Sequence, residues 1–394
     1  EGGCSVGRVT NLFRDFFHKG DMFLFSLCLI ASGMGLVLIY SATRYQNDNR
    51  SVVVQAAAIL IGVVLYFALT FVDIELFTEK TWRWMLGFNL LIILLLLTPF
   101  GVGEETTGNN SWLAFPFLPM NIQPAEIAKL FFVLILALQC AKSQEFGISR
   151  PSSVFRLAAH SGLMCGLIAV ISSDFGMVLV YLFLFVLMAW SAGVKKRWFA
   201  LGFVGIAAAS VLLWSHLPGY IRKRFIPVIQ RVFFGVDYDP QGAGWQQTRS
   251  VLAIGSGGIR GQGFLQGTQT QRGAIPAQRT DEIFAVCGEE FGLIGCTVVV
   301  LLLAAIILRC VWVARRARSP MCAYAATGYA AMLMIQTVIN IGTCLYIFPL
   351  VGLTLPFFSY GGSSIITLFA AMGMVSSIKA RPLPSWLKDR SEFR

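Results

Sequence analysis

Apolar residues run along this chain in stretches too long and too continuous for one face of a soluble helix. Stretches able to cross about 30 Å of hydrocarbon fall near residues 22–43, 52–72, 82–100, 123–141, 156–172, 175–192, 198–216, 283–312, 321–347 and 359–379. The pattern predicts an all-α, polytopic membrane protein with about ten transmembrane helices, forming a single integral membrane domain over 1–394. Ten crossings put both termini on one side. Between the seventh and eighth runs lies the one long polar interval, residues 217–282. Its size and composition do not suit a domain folding alone; short amphipathic helices and turns lying on the membrane face are expected there.

Composition agrees with the pattern. Of the 394 residues 56% are hydrophobic and 13% charged, with a mean hydropathy of +0.70, whereas a soluble globular chain carries about 25% charged residues. Disordered, collagen-like and disulfide-scaffold classes are excluded together. The balance of 31 Lys+Arg against 20 Asp+Glu sets the orientation. Basic residues gather in alternate connections, at Lys80 and Arg83, Lys142 and Arg150, Lys195 to Arg197, and Arg315, Arg316 and Arg318, while the short connections between them hold only Arg44 and Arg50. By the positive-inside rule both termini are cytoplasmic and 217–282 is a large extracellular loop of a multi-pass protein in the plasma membrane. That loop is long enough to escape the rule, and its Arg222, Lys223, Arg224, Arg231, Arg249, Arg260, Arg272 and Arg279 suit anionic ligands. The nine cysteines include no C-x-x-C and sit in or beside apolar runs, so they read as small core residues. The first twenty residues lack an apolar core, and no cleavable signal peptide is expected.

Nucleotide-driven chemistry lacks a motif. No Walker lysine sequence occurs, and the glycine-dense Gly255-Ser-Gly-Gly-Ile-Arg-Gly-Gln-Gly263 has neither the dinucleotide spacing nor a preceding strand. Any reaction therefore needs a substrate that is already activated. The histidines are His18, His160 and His216, none beside a second ligand candidate, which disfavours a zinc site or a Ser-His-Asp triad. Carboxylates remain. Asp281 ends the basic loop and opens the eighth span, followed by Glu282 and, about two helical turns deeper, Glu289 and Glu290. A half-desolvated carboxylate at a membrane rim gains basicity and suits a general base. The other reading is a helix N-terminus, with Thr280 as cap and both acids facing the positive dipole end.

Span four opens with Gln123-Pro-Ala-Glu126-Ile-Ala-Lys129, which sets an acid and a base three residues apart on one helical face. Ionisable groups at membrane depth face a cavity or each other, so the pair either lines a polar cavity or locks helices together. Asp174, between two apolar runs, reads most simply as a polar turn at the outer surface. Trp112 either stacks on a sugar or belongs to the interfacial aromatic belt. Prolines and glycines interrupt the last spans in Pro349-Leu-Val-Gly-Leu-Thr-Leu-Pro356-Phe-Phe-Ser-Tyr-Gly-Gly-Ser-Ser364. Backbone of that kind is tolerated at membrane depth where it lines a cavity or is buried in protein, and a ligand cavity is the preferred reading.

A family resemblance is carried by Ile39-Tyr-Ser-Ala-Thr43, Gln123-Pro-Ala-Glu126 through Lys129, Asp174-x-Gly176, Gly244-Trp-Gln246, Ala253-Ile-Gly-Ser-Gly-Gly258, Gly267-Thr-Gln-Thr-Gln271, Thr280-Asp281, Gly288-Glu-Glu290 and Leu355-Pro-Phe-Phe-Ser-Tyr-Gly-Gly-Ser-Ser364. In order and over nearly the whole chain, these resemble the SEDS family, with the first and sixth motifs nearer its RodA branch than its FtsW branch. The resemblance implies a peptidoglycan glycosyltransferase serving cell elongation and shape. It would polymerise lipid II at the outer face of the cytoplasmic membrane beside a class B penicillin-binding protein, touching the nascent glycan strand and membrane lipids but no nucleic acid. It implies Asp281 as general base of an inverting transfer. Substrate contacts are implied at Trp112, Gln123, Glu126, Lys129, Asp174, Gln246, Ser256, Gly257, Gly258, Arg260, Glu289, Ser359 and Ser363. No cofactor is certain; a divalent cation, Mg or Mn, is left open. The chain departs from the family pattern at Glu282, where an aromatic residue is usual, at Ser111, where an arginine commonly precedes Trp112, and in Pro276-Ala-Gln-Arg-Thr280, which lacks the usual glutamate and histidine. A lipid-linked precursor flippase would share the spans, the Glu126/Lys129 pair and the broken last helices. A scaffold would leave the intramembrane charges unexplained.

Overall fold

Each of the ten apolar runs is helical in the computed structural model, which describes residues 16–46, 49–103, 110–116, 120–213, 244–317 and 319–381, with 226, 228 and 230. The helices are α1 (Met22–Thr43), α2 (Arg50–Thr70), α3 (Ile74–Leu94), α4 (Pro124–Phe146), α5 (Pro151–Leu167), α6 (Phe175–Ser191) and α7 (Lys196–Leu213). After the polar interval come α8 (Trp245–Gly257), α9 (Ile283–Arg316), α10 (Pro320–Cys344) and α11 (Gly362–Ala380). Among the described residues eight are long and apolar enough to cross a membrane, α5 with a π-helical extension through Ser172. The chain is thus a multi-pass helical membrane protein. Local chemistry sets several starts: Asp21, Asp73 and Asp174 accept the amides of Leu24, Leu76 and Met177, and proline stands in the first turn of α4, α5 and α10, where its missing N–H costs nothing.

Burial identifies the centre. In α4, α10 and α11 the most apolar window is 78%, 72% and 83% buried, against 39% or less in the other spanning helices, so these three are wrapped by protein and the others face lipid on one side. The start of α1 meets the end of α11: Asp21, fully buried, receives Arg309 of α9 through Nε and Nη2 at 2.8 and 3.0 Å, and Lys379 of α11 at 3.6 Å. Asp73–Arg381 and Ser319–Glu75 contacts lie at the same end. Gln123–Asp174, Gln271–Ser41 and the Arg279–Tyr360 backbone bond lie at the other.

Two expectations are corrected. The third helix begins at Ile74, not near 82, because Asp73 caps it and its first turns carry Glu75, Glu79, Lys80 and Arg83. A hydropathy reading sees only the apolar part of a helix whose first turns are polar. Second, α9 does not start from a Thr280 cap: the Thr280 hydroxyl bonds the Ala277 carbonyl at 3.2 Å, and Glu282 takes the N-cap position without a side-chain cap bond. Over its described part the interval before it holds a short helix and turns that dock on the bundle. Helix α8 packs against the first half of α9, with Ala253 fully buried.

The docking of this interval explains its glycines. Helix α9 is broken at Gly292, whose φ is 64°. The break turns the carbonyls of Glu289 and Glu290 and the amides of Leu293 and Ile294 out of the helical ladder. They pair instead with Gln262 N, Gly263 N, Gly258 O and Ile259 O at 2.9 to 3.2 Å. Non-helical backbone near membrane depth needs internal partners of this kind. A Cβ on Gly261, at φ 82°, would overlap the Glu290 carbonyl. The stretch 255–263 is therefore a seam between backbones. We expect Gly261→Ala to cost about 1–3 kcal/mol by overpacking and backbone conflict. Gly255→Ala, with open space around its Cβ position, should leave stability unchanged or raised. Thermal melting of the two purified variants decides; equal melting would remove the seam argument.

Candidate functional site

The end of the bundle that carries the interval holds a cavity of about 510 Å³. It is enclosed by residues from separate parts of the chain. Trp112, Gln123, Glu126, Asp174, Gln246 and Asp281 all line it. The wall opposite is the irregular segment before α11, residues 350–354, with Tyr360. The interrupted last spans therefore contribute backbone to a cavity, as their prolines and glycines predict.

Asp281 sits in the turn between the interval and α9, not on the helix. The peptide carbonyls leading to it are pinned in succession: Arg279 O accepts Tyr360 N at 2.8 Å, Thr280 O accepts Ser359 Oγ at 2.6 Å, and Asp281 O accepts Asn340 Nδ2 at 2.7 Å. Gly352, at φ 70°, faces the carboxylate from the wall without a side chain; a Cβ there would stand 3.8 Å from Asp281 Oδ2. Glu282 takes the other direction. It is fully buried against α8, where Ser250 Oγ and Gln246 Nε2 donate to its two oxygens at 2.6 and 3.3 Å. Burial pushes its carboxyl above the ordinary range, and the bonds from Ser250, Cys344 and Gln246 pull it partly back. Adjacent in sequence, the two acids have separate surroundings.

Across the cavity, Gln123 at the N-cap of α4 donates from Nε2 to Asp174 Oδ2 at 2.9 Å, while Asp174 Oδ1 accepts Met177 N at 3.0 Å. Asp174 is 6% exposed, a cap that faces a cavity and not a surface turn. One turn into α4, Glu126 Oε2 meets Lys129 Nζ at 2.9 Å, both almost wholly buried. Gln336 of α10 donates to Glu126 Oε1 at 3.2 Å and Ser364 of α11 to Oε2 at 3.4 Å. The pair does both things the sequence left open: Glu126 lines the cavity, and the pair ties α4 to α10 and α11. Trp112 is carried by a two-stranded ribbon, β1 (Gly101–Val102) paired antiparallel with β2 (Trp112–Leu113), and it faces the cavity. Arg279 brings a cation to the Tyr360 wall, 5.4 Å over the ring, held by Ser51 Oγ at 3.0 Å.

Other candidates lie off the cavity. Lys129 reaches it only through Glu126. Ser359 spends its hydroxyl on Thr280 O and accepts Leu355 N at 2.8 Å, and Ser363 accepts the Gln123 amide at 3.4 Å. Ser256 and Arg260 are exposed on the seam, beside Gly257 and Gly258. Glu289 is fully buried and gathers Thr268 Oγ1, Gln269 N, Thr270 N and Thr270 Oγ1 at 2.6 to 3.2 Å, so it fastens a loop. Sequence reading missed Asn340 and Gln336. Gln336 and Asn340, four residues apart on one face of a span, were the legible signal.

Comparison with known proteins follows the same lines. A family model described as "Cell cycle protein" (FTSW_RODA_SPOVE) matches residues 21–382. A Geobacter metallireducens protein named probable peptidoglycan glycosyltransferase FtsW is 30% identical over 372 residues, 92% of this chain and 96% of that protein. Peptidoglycan glycosyltransferase MrdB of Escherichia coli is 33% identical over 297 residues, 75% of this chain and 77% of that one. Among solved structures, a chain from a peptidoglycan synthase complex that coordinates polymerization and crosslinking superposes with TM-score 0.72 at 29% identity, covering 91% of this chain and 97% of that chain. The rod shape determining protein RodA of Thermus thermophilus gives 0.65 at 25% identity, covering 93% and 98%.

Proposed function

The chain belongs to the FtsW/RodA/SpoVE (SEDS) family of peptidoglycan glycosyltransferases, and on that premise we propose that its cavity polymerises lipid II. One observation carries the reading: Asp281 opens onto a cavity shared with Trp112, Gln123, Glu126, Asp174 and Gln246. In the reaction the acceptor sugar hydroxyl attacks the anomeric carbon of the donor. The new C–O bond forms as the bond to the lipid pyrophosphate breaks, and Asp281 takes the hydroxyl proton. Attack opposite the leaving group inverts an α-linked donor to a β-linked chain. Trp112 offers an aromatic face to a sugar, and the amides of Gln123 and Gln246 offer polar contacts. Arg279 supplies positive charge near the leaving pyrophosphate.

Among the described residues no three His, Cys, Asp or Glu side chains converge as a metal cage. Glu126 is engaged by Lys129, and Asp174 by Gln123 and an amide. The described carboxylates at the cavity therefore offer no ready-made holder for a Mg or Mn ion.

The RodA-like motifs support an elongation role. Gln271 Nε2 bonds Ser41 Oγ and Glu290 Oε1, each at 3.0 Å, and Ser41 Oγ donates to Glu290 at 2.6 Å, so the two motifs form one contact. A class B penicillin-binding protein is the partner of this reading. The test is direct: the purified chain, alone and with that partner, is given lipid II, and glycan polymer is resolved on a gel. Polymer from the complex is expected; none would reject the reading.

Both termini are cytoplasmic in this scheme, and the cavity opens outward. Single cysteines at Gln266 and Arg315, both exposed, should label from opposite sides of the membrane. Labelling from one side would overturn the topology.

A further inference from the structure

We propose that Asn340 is a positioning residue for this reaction, which holds the general base and the wall facing it as one unit; the proposal rests on the polymerase reading of the cavity. Asn340 lies in the last third of α10 and is 2% exposed. Both hydrogens of its amide are spent on carbonyls: Nδ2 donates to Asp281 O and to Leu353 O, each at 2.7 Å. The orientation is fixed by chemistry, since the flipped amide would set its oxygen against two carbonyl oxygens. Asp281 and Leu353 both line the cavity, one from the turn before α9 and the other from the segment before α11. No helix or sheet joins those two stretches; the carboxamide bridges them.

The cost of this arrangement shows what it serves. Asn340 Oδ1 is buried with no hydrogen-bond partner, a loss that an apolar side chain of the same volume would avoid. That apolar side chain would, however, take the amide away from both carbonyls, where the Cys344 Sγ contact to Asp281 O at 3.6 Å is a weak substitute. The preceding carbonyls of Arg279 and Thr280 are held by Tyr360 and Ser359, so Asn340 fixes the last peptide before the α9 cap. Its removal frees the peptide that aims the carboxylate, and a misplacement of about 1 Å is worth about a hundredfold in rate.

Expected for Asn340→Ala is a fall in kcat of about 10- to 100-fold with KM for lipid II little changed, since the groups that bind sugar remain in place. Asn340→Ser, which keeps one donor, should fall between Ala and wild type, and it serves where the alanine variant folds poorly; yield and melting temperature are measured for both. The discriminating measurement is the double variant. If Asn340 acts through the base, Asn340→Ala should lower the residual rate of Asp281→Asn by much less than it lowers the wild-type rate. Undiminished kcat in well-folded Asn340→Ala and Asn340→Ser, a change confined to KM, or fully multiplicative losses would overturn the proposal. A wild-type complex that makes no glycan would instead reject the polymerase reading, so the two failures are distinguishable.

Discussion

Asp281→Asn lowers lipid II polymerisation by about two to four orders of magnitude, the usual worth of a positioned general base. The amide keeps the size of the side chain and cannot take the acceptor's proton. The fold should tolerate the change, because the contacts that hold this turn go to the backbone carbonyls of residues 279–281. Glu282 supplies the internal control. An acid one residue away is the obvious surrogate, yet it is fully buried and occupied by Ser250 and Gln246. Burial also pushes its carboxyl up, which lessens the cost of removing its charge, and Glu282→Gln should cost less than about tenfold. The assay is polymerisation by partner-bound variants with melting temperatures alongside. An inactive Glu282→Gln beside an active Asp281→Asn would move the base to Glu282 and sink the assignment.

The parts legible in the sequence were those with a strong local cause. Ten apolar runs gave ten helices because backbone crossing hydrocarbon must satisfy itself internally. Glu126, Lys129 and Asp281 stood out because ionisable groups near an apolar phase are expensive. What stayed hidden was long-range or backbone-mediated. The break at Gly292 was not legible because its partner is the seam at 258–263, which nothing local to it reveals. The glycines of the seam were likewise silent: glycine permits both mobility and close approach, and only the backbone of α9 decides between them. Asp174 read as a surface turn because nothing local to Ser173-Asp-Phe-Gly176 reveals that Gln123 lies opposite. Ser359 read as a substrate contact, whereas in the structure its hydroxyl acts on the turn that carries Asp281. Side-chain amides holding irregular backbone recur: Gln55 bonds Ser359 O and Gly361 N, Gln247 bonds Thr343 O and Phe348 O, and Gln278 bonds Ala42 O and Thr270 O. A polar amide in or beside a span is thus a sign of non-helical backbone nearby.

The Glu126/Lys129 pair carries the second large effect, and the structure separates its two roles. Lys129→Met leaves Glu126 as a buried charge with only Gln336 and Ser364 as partners, so stability should fall by about 3–5 kcal/mol, as for other broken buried pairs. Polymerisation should be lost with it. That single variant cannot tell a structural lock from a cavity wall. The double variant Glu126→Gln/Lys129→Met can, because removing both charges also removes the desolvation penalty, and replacing a whole buried pair is often neutral or stabilising. Its melting temperature should recover most of the way to wild type. Its activity should not, since Glu126 lines the cavity beside Gln123 and Asp174 and the glutamine cannot supply a carboxylate there. Thermal melting and lipid II polymerisation, measured on the same preparations, therefore move together in the single variant and part in the double. A stable double variant that polymerises at the wild-type rate would reduce the pair to a lock between α4, α10 and α11.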